Sequence, residues 1–363
     1  MTHLRTWRLP TRVAALALIG AAAFAGGLSA QVAASAAISG HLVEAAGKPL
    51  PFTTIWLVPR DTLLRSRGTL TDTAGAFAFE RLPPGGYYLR VDRVGFQSEW
   101  SDPKPLAAGQ HMALAVTSAP APIALGRIRT SGACRPGADM AADTPLATLW
   151  GEARKAAAAR RLFDLSYRYG VEVKESLLAP REGYGSAWRG LRRKLVSTPA
   201  VARTLAQQGS YAGYGVGMDS TRLVAVREML DVLTEPFALS HRLCVLSDSH
   251  GHRRVRFEPV ALDSLRLDVG GNIELNADYS LRRIVFEYRQ GPIAFSRGYV
   301  EFGDGGLKRG PVRFLSYLLV WVYDAPASRN GKIHMVPGPS RTGRELARVW
   351  ARYGPFQRDT TPP

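Results

Sequence analysis

Several absences narrow this 363-residue sequence before any pattern in it is read. Cysteine occurs twice, at Cys134 and Cys244, and no C-x-x-C spacing exists, so a redox dithiol motif is not indicated. No cysteine stands beside the apolar N-terminal stretch, which argues against a lipid-modified N-terminus. There is no G-x-S-x-G elbow to supply a nucleophile. The Gly-rich run 213–218 (GYGVGM) lacks the context of a dinucleotide or P-loop cradle and reads as a tight turn or loop. Histidine is scarce: besides His3, His250 and His252, only His41, His111, His241 and His334 occur, thin material for a hydrolase. Beyond the N-terminus no apolar run approaches the ~20 residues of a spanning helix, and 314–323 (FLSYLLVWVY) has the length of a strand. Acids are outnumbered by bases, 30 to 47, for a net charge of +17.

What is present begins with a signal-peptide pattern. Arg5, Arg8 and Arg12 form a basic start, residues 13–28 an apolar stretch, and Leu28-Ser29-Ala30 a small-residue cleavage site, with 34–36 (ASA) as a second candidate. The alternative is an uncleaved anchor, although the apolar run is short for one. Residues 1–30 carry three Arg and no acid, so the remainder holds +14, that is +17 less 3. In an exported chain the isolated pair Cys134 and Cys244 reads as one disulfide, with two buried free thiols as the alternative. Loop-closure entropy would assign such a bridge roughly 4–5 kcal/mol. The basic residues are scattered rather than gathered in one patch with stacking aromatics, so nucleic acid is not an expected partner. An anionic envelope or membrane surface is, beside the plainer reading of a solvated, arginine-rich surface.

Residues 37–129 read as short strands broken by Gly and Pro turns, the pattern of a β-sandwich. A helix is expected from Asp143 as N-cap, with Pro145 in its first turn and Leu146, Leu149, Trp150 and Ala153 on one face. Residues 163–175 and 189–197 alternate like a long hairpin, and 199–209 form a short helix closed by Gly209. From about Leu243 the pattern is β again, an antiparallel meander with Ile284, Phe286 and Tyr288 on one face. The stretch 340–354 carries Leu346, Val349, Trp350 and Tyr353 at helical spacing, so a helix covering the last apolar strand is expected, or else a basic amphipathic helix on a membrane.

The order and spacing of Gly40, Gly47, Pro49, Leu50, Ile55, Leu57, Asp72, Gly75, Phe77, Phe79, Leu82–Gly85, Tyr87, Leu89, Val91, Gly95 and Phe96 resemble the carboxypeptidase regulatory-like domain, a transthyretin-like β-sandwich. The resemblance covers about a quarter of the chain. It implies an accessory module rather than a peptidase, and it implies carbohydrate binding through sugar-binding members of the superfamily. The rest of the chain is similar to exported bacterial proteins of unknown function that carry this module at the N-terminus, which implies no activity.

Candidate chemistry is sparse. His41 and Glu44 have the H-x-x-E spacing of a zinc site but fall on a strand, where residues three apart point to opposite faces. Asp248, His250 and His252 alternate and would share a face on a strand, enough for a metal-dependent hydrolase, yet Gly251 and the Ser/Asp content equally make a hairpin turn. Outward aromatics are the better binding candidates. The resemblance implies that Ile55, Leu57, Tyr87, Leu89 and Val91 turn inward, so by alternation Trp56 and Tyr88 turn outward, and Trp100 lies in the next loop. Such residues stack on sugars or anchor a protein, unless another part of the chain covers them.

The resulting expectation is a mainly β protein with some α. It comprises a signal peptide (1–30), a transthyretin-like β-sandwich (37–129), an α+β domain with an antiparallel meander (130–355) and a frayed tail (356–363). The role is non-catalytic binding or scaffolding at the periplasm or cell surface, for a glycan or an envelope protein, with no cofactor. The competing readings are a carrier of an apolar ligand in a C-terminal half-barrel and the Asp248/His250/His252 hydrolase.

Overall fold

The computed structural model describes residues 35–119, 121–123, 134–180, 186–198, 229–246, 252–261, 267–290, 293–307, 312–322 and 347–358. The signal peptide expected at 1–30, the helix expected at 199–209, the Gly-rich run 213–218, and Asp248 and His250 lie outside the described residues.

Eight short strands open the described chain: β1 (Ala36–Glu44), β2 (Thr54–Pro59), β3 (Arg67–Leu70), β4 (Ala76–Leu82), β5 (Gly85–Asp92), β6 (Glu99–Trp100), β7 (Lys104–Leu106) and β8 (His111–Ser118). They build two sheets, β4-β1-β8 and β3-β2-β5-β6, with β7 also paired to β5. Side chains alternate along each strand, so Ile38, Leu42, Ile55, Leu57, Phe77, Phe79, Leu89 and Val91 meet between the sheets. The turn into β4 is fixed by Asp72, whose Oδ1 accepts from the backbone N–H of Ala74 and Ala76 at 2.9 and 2.8 Å. Gly75 in that turn has φ +74°, and a Cβ there would stand 2.4 Å from the Leu42 carbonyl, so only glycine fits.

The second part begins with β9 (Arg135–Pro136) and a 3-10 turn, followed by α1 (Thr144–Ser166), β10 (Tyr167–Pro180) and β11 (Ser186–Ser197). Next come a 3-10 turn at Leu230–Leu233, α2 (Glu235–Leu239), and β12 (His241–Leu246), β13 (Arg253–Pro259), β14 (Leu267–Leu275), β15 (Leu281–Gln290), β16 (Ile293–Gly303), β17 (Phe314–Val322) and β18 (Ala347–Arg358). These strands form one ten-stranded antiparallel sheet, ordered β11-β10-β18-β17-β16-β15-β14-β13-β12-β9. Asp143 caps α1 as expected, its Oδ1 accepting from Leu146 N at 3.1 Å. Leu146, Leu149, Trp150 and Ala153 then bury against Val255, Phe257, Ile273, Ile284 and Phe286 of the sheet. The buried face of α1 thus shares one apolar cluster with residues of β12 to β17. Cys134 and Cys244 form a disulfide beside the β9–β12 pairing, joining positions 110 residues apart.

Two expectations are corrected at the C-terminus. Residues 347–358 are strand β18, not helix, and the strand runs through Phe356, Gln357 and Arg358, which the sequence assigns to a frayed tail. Pairing on both sides, with β10 and β17, satisfies the β18 backbone in a way a surface helix would not need. Tyr353 and Phe356 pack onto an aromatic cluster with Phe163, Tyr169 and Phe314. The expected hairpin at 163–197 is present as β10 and β11, but Phe163–Ser166 still belong to α1.

Sandwich and large sheet belong to one compact unit starting at Ser35. Phe52 and Leu70 of the sandwich pack with Ala159 and Phe163 of α1 and with Tyr167, Val312 and Phe314. Nearer the start of α1, Gly95 N donates to Glu152 Oε2 at 2.6 Å, and Lys155 Nζ donates to the Phe96 carbonyl at 2.6 Å. Glu152 and Lys155 also pair with each other at 2.7 Å, so α1 grips the 93–96 turn through one charge pair. Burial raises the Glu152 pKa above its ordinary value, and Lys155 and Gly95 only partly counter this.

Candidate functional site

The outer face of the β3-β2-β5-β6 sheet is built in rows set by register. Leu70, Thr54 and Asp92 form one row; Gly68, Trp56, Arg90 and Trp100 form the next. Because side chains repeat every second residue, both rows face the same side. The first row lies under α1: Thr54 and Asp92 are buried and Leu70 packs on Ala159 and Phe163. The second row emerges beyond the helix.

In that second row the Arg90 guanidinium sits between two indoles, 5.5 Å from the Trp56 ring and 5.4 Å from the Trp100 ring. Its Nη2 pairs with Asp92 Oδ2 at 3.0 Å, and Ser98 Oγ donates to Asp92 Oδ1 at 2.6 Å. Asp92 therefore holds Arg90 from the covered row while the indoles hold it from either side. On its far side Trp56 lies across Gly68, where a Cβ would come within 2.7 Å of the ring. Glycine at this position lets the indole lie flat. Trp100 is 56% exposed, Trp56 and Arg90 are half-buried, and the Trp56 Nε1 and Arg90 Nε atoms are shielded with no hydrogen-bond partner. Tyr88, opposite Val58 and two residues from Arg90, is half-buried on the same face.

The three aromatics expected as binding residues thus share one face, and two of them, Trp56 and Trp100, flank a single cation. Trp100 belongs to a short strand rather than to a loop. Sequence reasoning missed Asp92 and Ser98. The i, i+2 spacing of Arg90 and Asp92 on a strand was the available signal for Asp92. Elsewhere, His252 is half-buried at the start of β13 with its Nδ1 shielded and unpartnered. His41 is exposed on β1 opposite Ala76. His241 is a core residue: fully buried, stacked on Phe237 at 3.7 Å, with Nδ1 2.9 Å from the Phe237 carbonyl and Nε2 2.9 Å from that of Val269.

The fold of the N-terminal part, two short antiparallel-dominated sheets around one core, defines the class, and a family model gives it a name. Residues 37–119 match the carboxypeptidase regulatory-like domain, so the chain carries a domain of that family at its N-terminus. Among solved structures, the chain is similar to a candidate carbohydrate-binding protein from Pseudomonas aeruginosa, at 17% identity over 24% of this chain and 90% of that one, with a TM-score of 0.19. A candidate carbohydrate-binding protein from Bacteroides uniformis aligns at 8% identity over 67% and 97%, TM-score 0.21. A DUF3823 family protein from Parabacteroides merdae aligns at 9% over 62% and 91%, TM-score 0.19. TM-scores this low establish no shared overall architecture. No curated protein matches the chain. Among the described residues, no helix is long and apolar enough to cross a membrane.

Proposed function

We propose that the chain is an exported, non-catalytic binding protein of the cell envelope whose sandwich presents Trp56, Arg90 and Trp100 to a glycan. The observation that carries this reading is the Trp56–Arg90–Trp100 stack. Two indole faces are held in place by a cation that is itself anchored by a buried carboxylate, just where the sheet leaves the cover of α1. Indole faces stack on the C–H faces of pyranose rings, and Arg90 and Tyr88 donate to hydroxyls beside them. Prior fixing by Asp92 lowers the ordering cost of binding. Export is supported by the basic-then-apolar N-terminus and by the Cys134–Cys244 disulfide. In this reading the sandwich (37–129) is the binding domain and residues 130–355 form the α+β domain that carries it.

The test is a glycan array probed with the chain lacking residues 1–30, followed by titration calorimetry on the best hit. Trp100→Ala and Trp56→Ala are expected to weaken that hit about tenfold each. A hit that both variants bind as tightly as the parent would remove the stack from the binding site.

A further inference from the structure

A second site lies on the ten-stranded sheet, away from the sandwich row. Alternation along β10 turns Val173 to the buried side and Glu172 and Lys174 to the other. On β18 the same alternation turns Tyr353 toward the aromatic cluster and Trp350 and Arg352 outward. Register sets Glu172 opposite Arg352 and Lys174 opposite Trp350. The next strand, β17, has a register shift beside Ser316, which stands at the rim of the same hollow. Together with Ala351 these residues line an open groove of about 310 Å³, at the lower end of ligand-pocket volumes.

The chemistry of the lining is specific. Trp350 is 49% exposed, unusual for an indole on a charged sheet face. Lys174 and Arg352 are exposed, with Glu172 two residues from Lys174 on β10 and directly opposite Arg352. On the neighbouring β11, Lys194 faces Glu172 and Arg192 faces Lys174, both exposed. The groove therefore offers an aromatic face, a net positive charge, one carboxylate and one hydroxyl. A simple anion such as phosphate uses neither the indole nor Glu172. A flat lipid surface meets a hollow with an acid inside it. A carboxylated sugar uses every part: its ring stacks on Trp350, its carboxylate pairs with Lys174 and Arg352, and its hydroxyls donate to Glu172 and Ser316.

We infer that this groove binds uronic-acid units of an acidic polysaccharide. It is a second saccharide site, independent of the Trp56–Arg90–Trp100 stack.

The experiment titrates the full chain with trigalacturonate and with neutral galactotriose, at about 20 mM and about 300 mM salt. Trigalacturonate is expected to bind at least about tenfold tighter than galactotriose and to weaken severalfold at the higher salt. Trp350→Ala, Lys174→Gln and Arg352→Gln are each expected to cost about tenfold. Circular dichroism confirms that each variant folds, and the two charge variants alter only exposed side chains. Run in a Trp56→Ala/Trp100→Ala background, the titrations read the β10–β18 groove alone, and the preference for trigalacturonate is expected to persist there. No binding of trigalacturonate overturns the inference, as do equal binding of the neutral sugar and unchanged binding by the folded β10 and β18 variants. Adsorption to phosphatidylglycerol vesicles without trigalacturonate binding would replace the groove with a membrane-contact surface.

Discussion

Two rows on one side of one sheet meet opposite fates in this protein. Leu70, Thr54 and Asp92 are sealed beneath α1, while Gly68, Trp56, Arg90 and Trp100, one step along the strands, are not. Strand geometry treats the rows alike. What separates them is where a helix more than fifty residues downstream happens to end its contact. The covered row contributes stability, and its one charge, Asp92, reaches across the boundary to fix Arg90. The open row contributes little to stability and leaves the Trp100 indole more than half exposed.

This comparison breaks most visibly at Phe163, the α1 residue on which the covered row rests. It is fully buried, stacked on Tyr167 at 4.2 Å and edge-on to Phe314 and Phe356. Phe163→Ala is expected to cost about 3–5 kcal/mol in chemical denaturation. If it cost less than about 1 kcal/mol, α1 would not be what closes that half of the sheet.

How much of this was legible in the sequence follows from the range of each signal. The family resemblance set Ile55, Leu57, Tyr87, Leu89 and Val91 inward, and period-2 alternation, a local rule, then turned Trp56 and Tyr88 outward. The cap at Asp143 and the buried stripe of α1 were legible for the same reason. Alternation could not say that Thr54 and Asp92, facing out like Trp56 and Arg90, would be buried, because their cover is non-local. The C-terminal stretch failed differently. Val349, Trp350 and Tyr353 satisfy a helical stripe, but Trp350/Arg352 against Tyr353 also satisfies a strand, and two waiting strand edges decided between them. The groove beside Trp350 was invisible for that reason, since a helix would never have set Lys174 opposite Trp350.

Glu152, where α1 grips the 93–96 turn, is expected to make stability depend on pH. Its carboxyl is held above its usual pKa, first by burial. An acid with a raised folded-state pKa contributes fully below the unfolded value, near 4.5, and that contribution is lost as pH rises through the folded-state value. The stability difference between the parent and Glu152→Gln should therefore favour the parent most near pH 4 and shrink toward pH 8, as read by denaturant melts across that range. The opposite slope would mean that the Lys155 pairing, not desolvation, governs this carboxyl.

The smallest expected effect on stability belongs to the open row. Trp100 is more than half exposed and touches the fold mainly through Arg90, and exposed cation–π contacts contribute only about 0.5–1 kcal/mol. Trp100→Ala is therefore expected to shift the unfolding free energy by less than about 1 kcal/mol while still weakening glycan binding. That pairing of outcomes tests the comparison itself. A large side chain kept on a surface for packing costs stability when removed. One kept for contact with something else leaves the fold nearly unchanged and is missed only by its ligand. If Trp100→Ala destabilised the protein as much as Phe163→Ala does, the open row would be structural after all, and the distinction between the two halves of the sheet would fail.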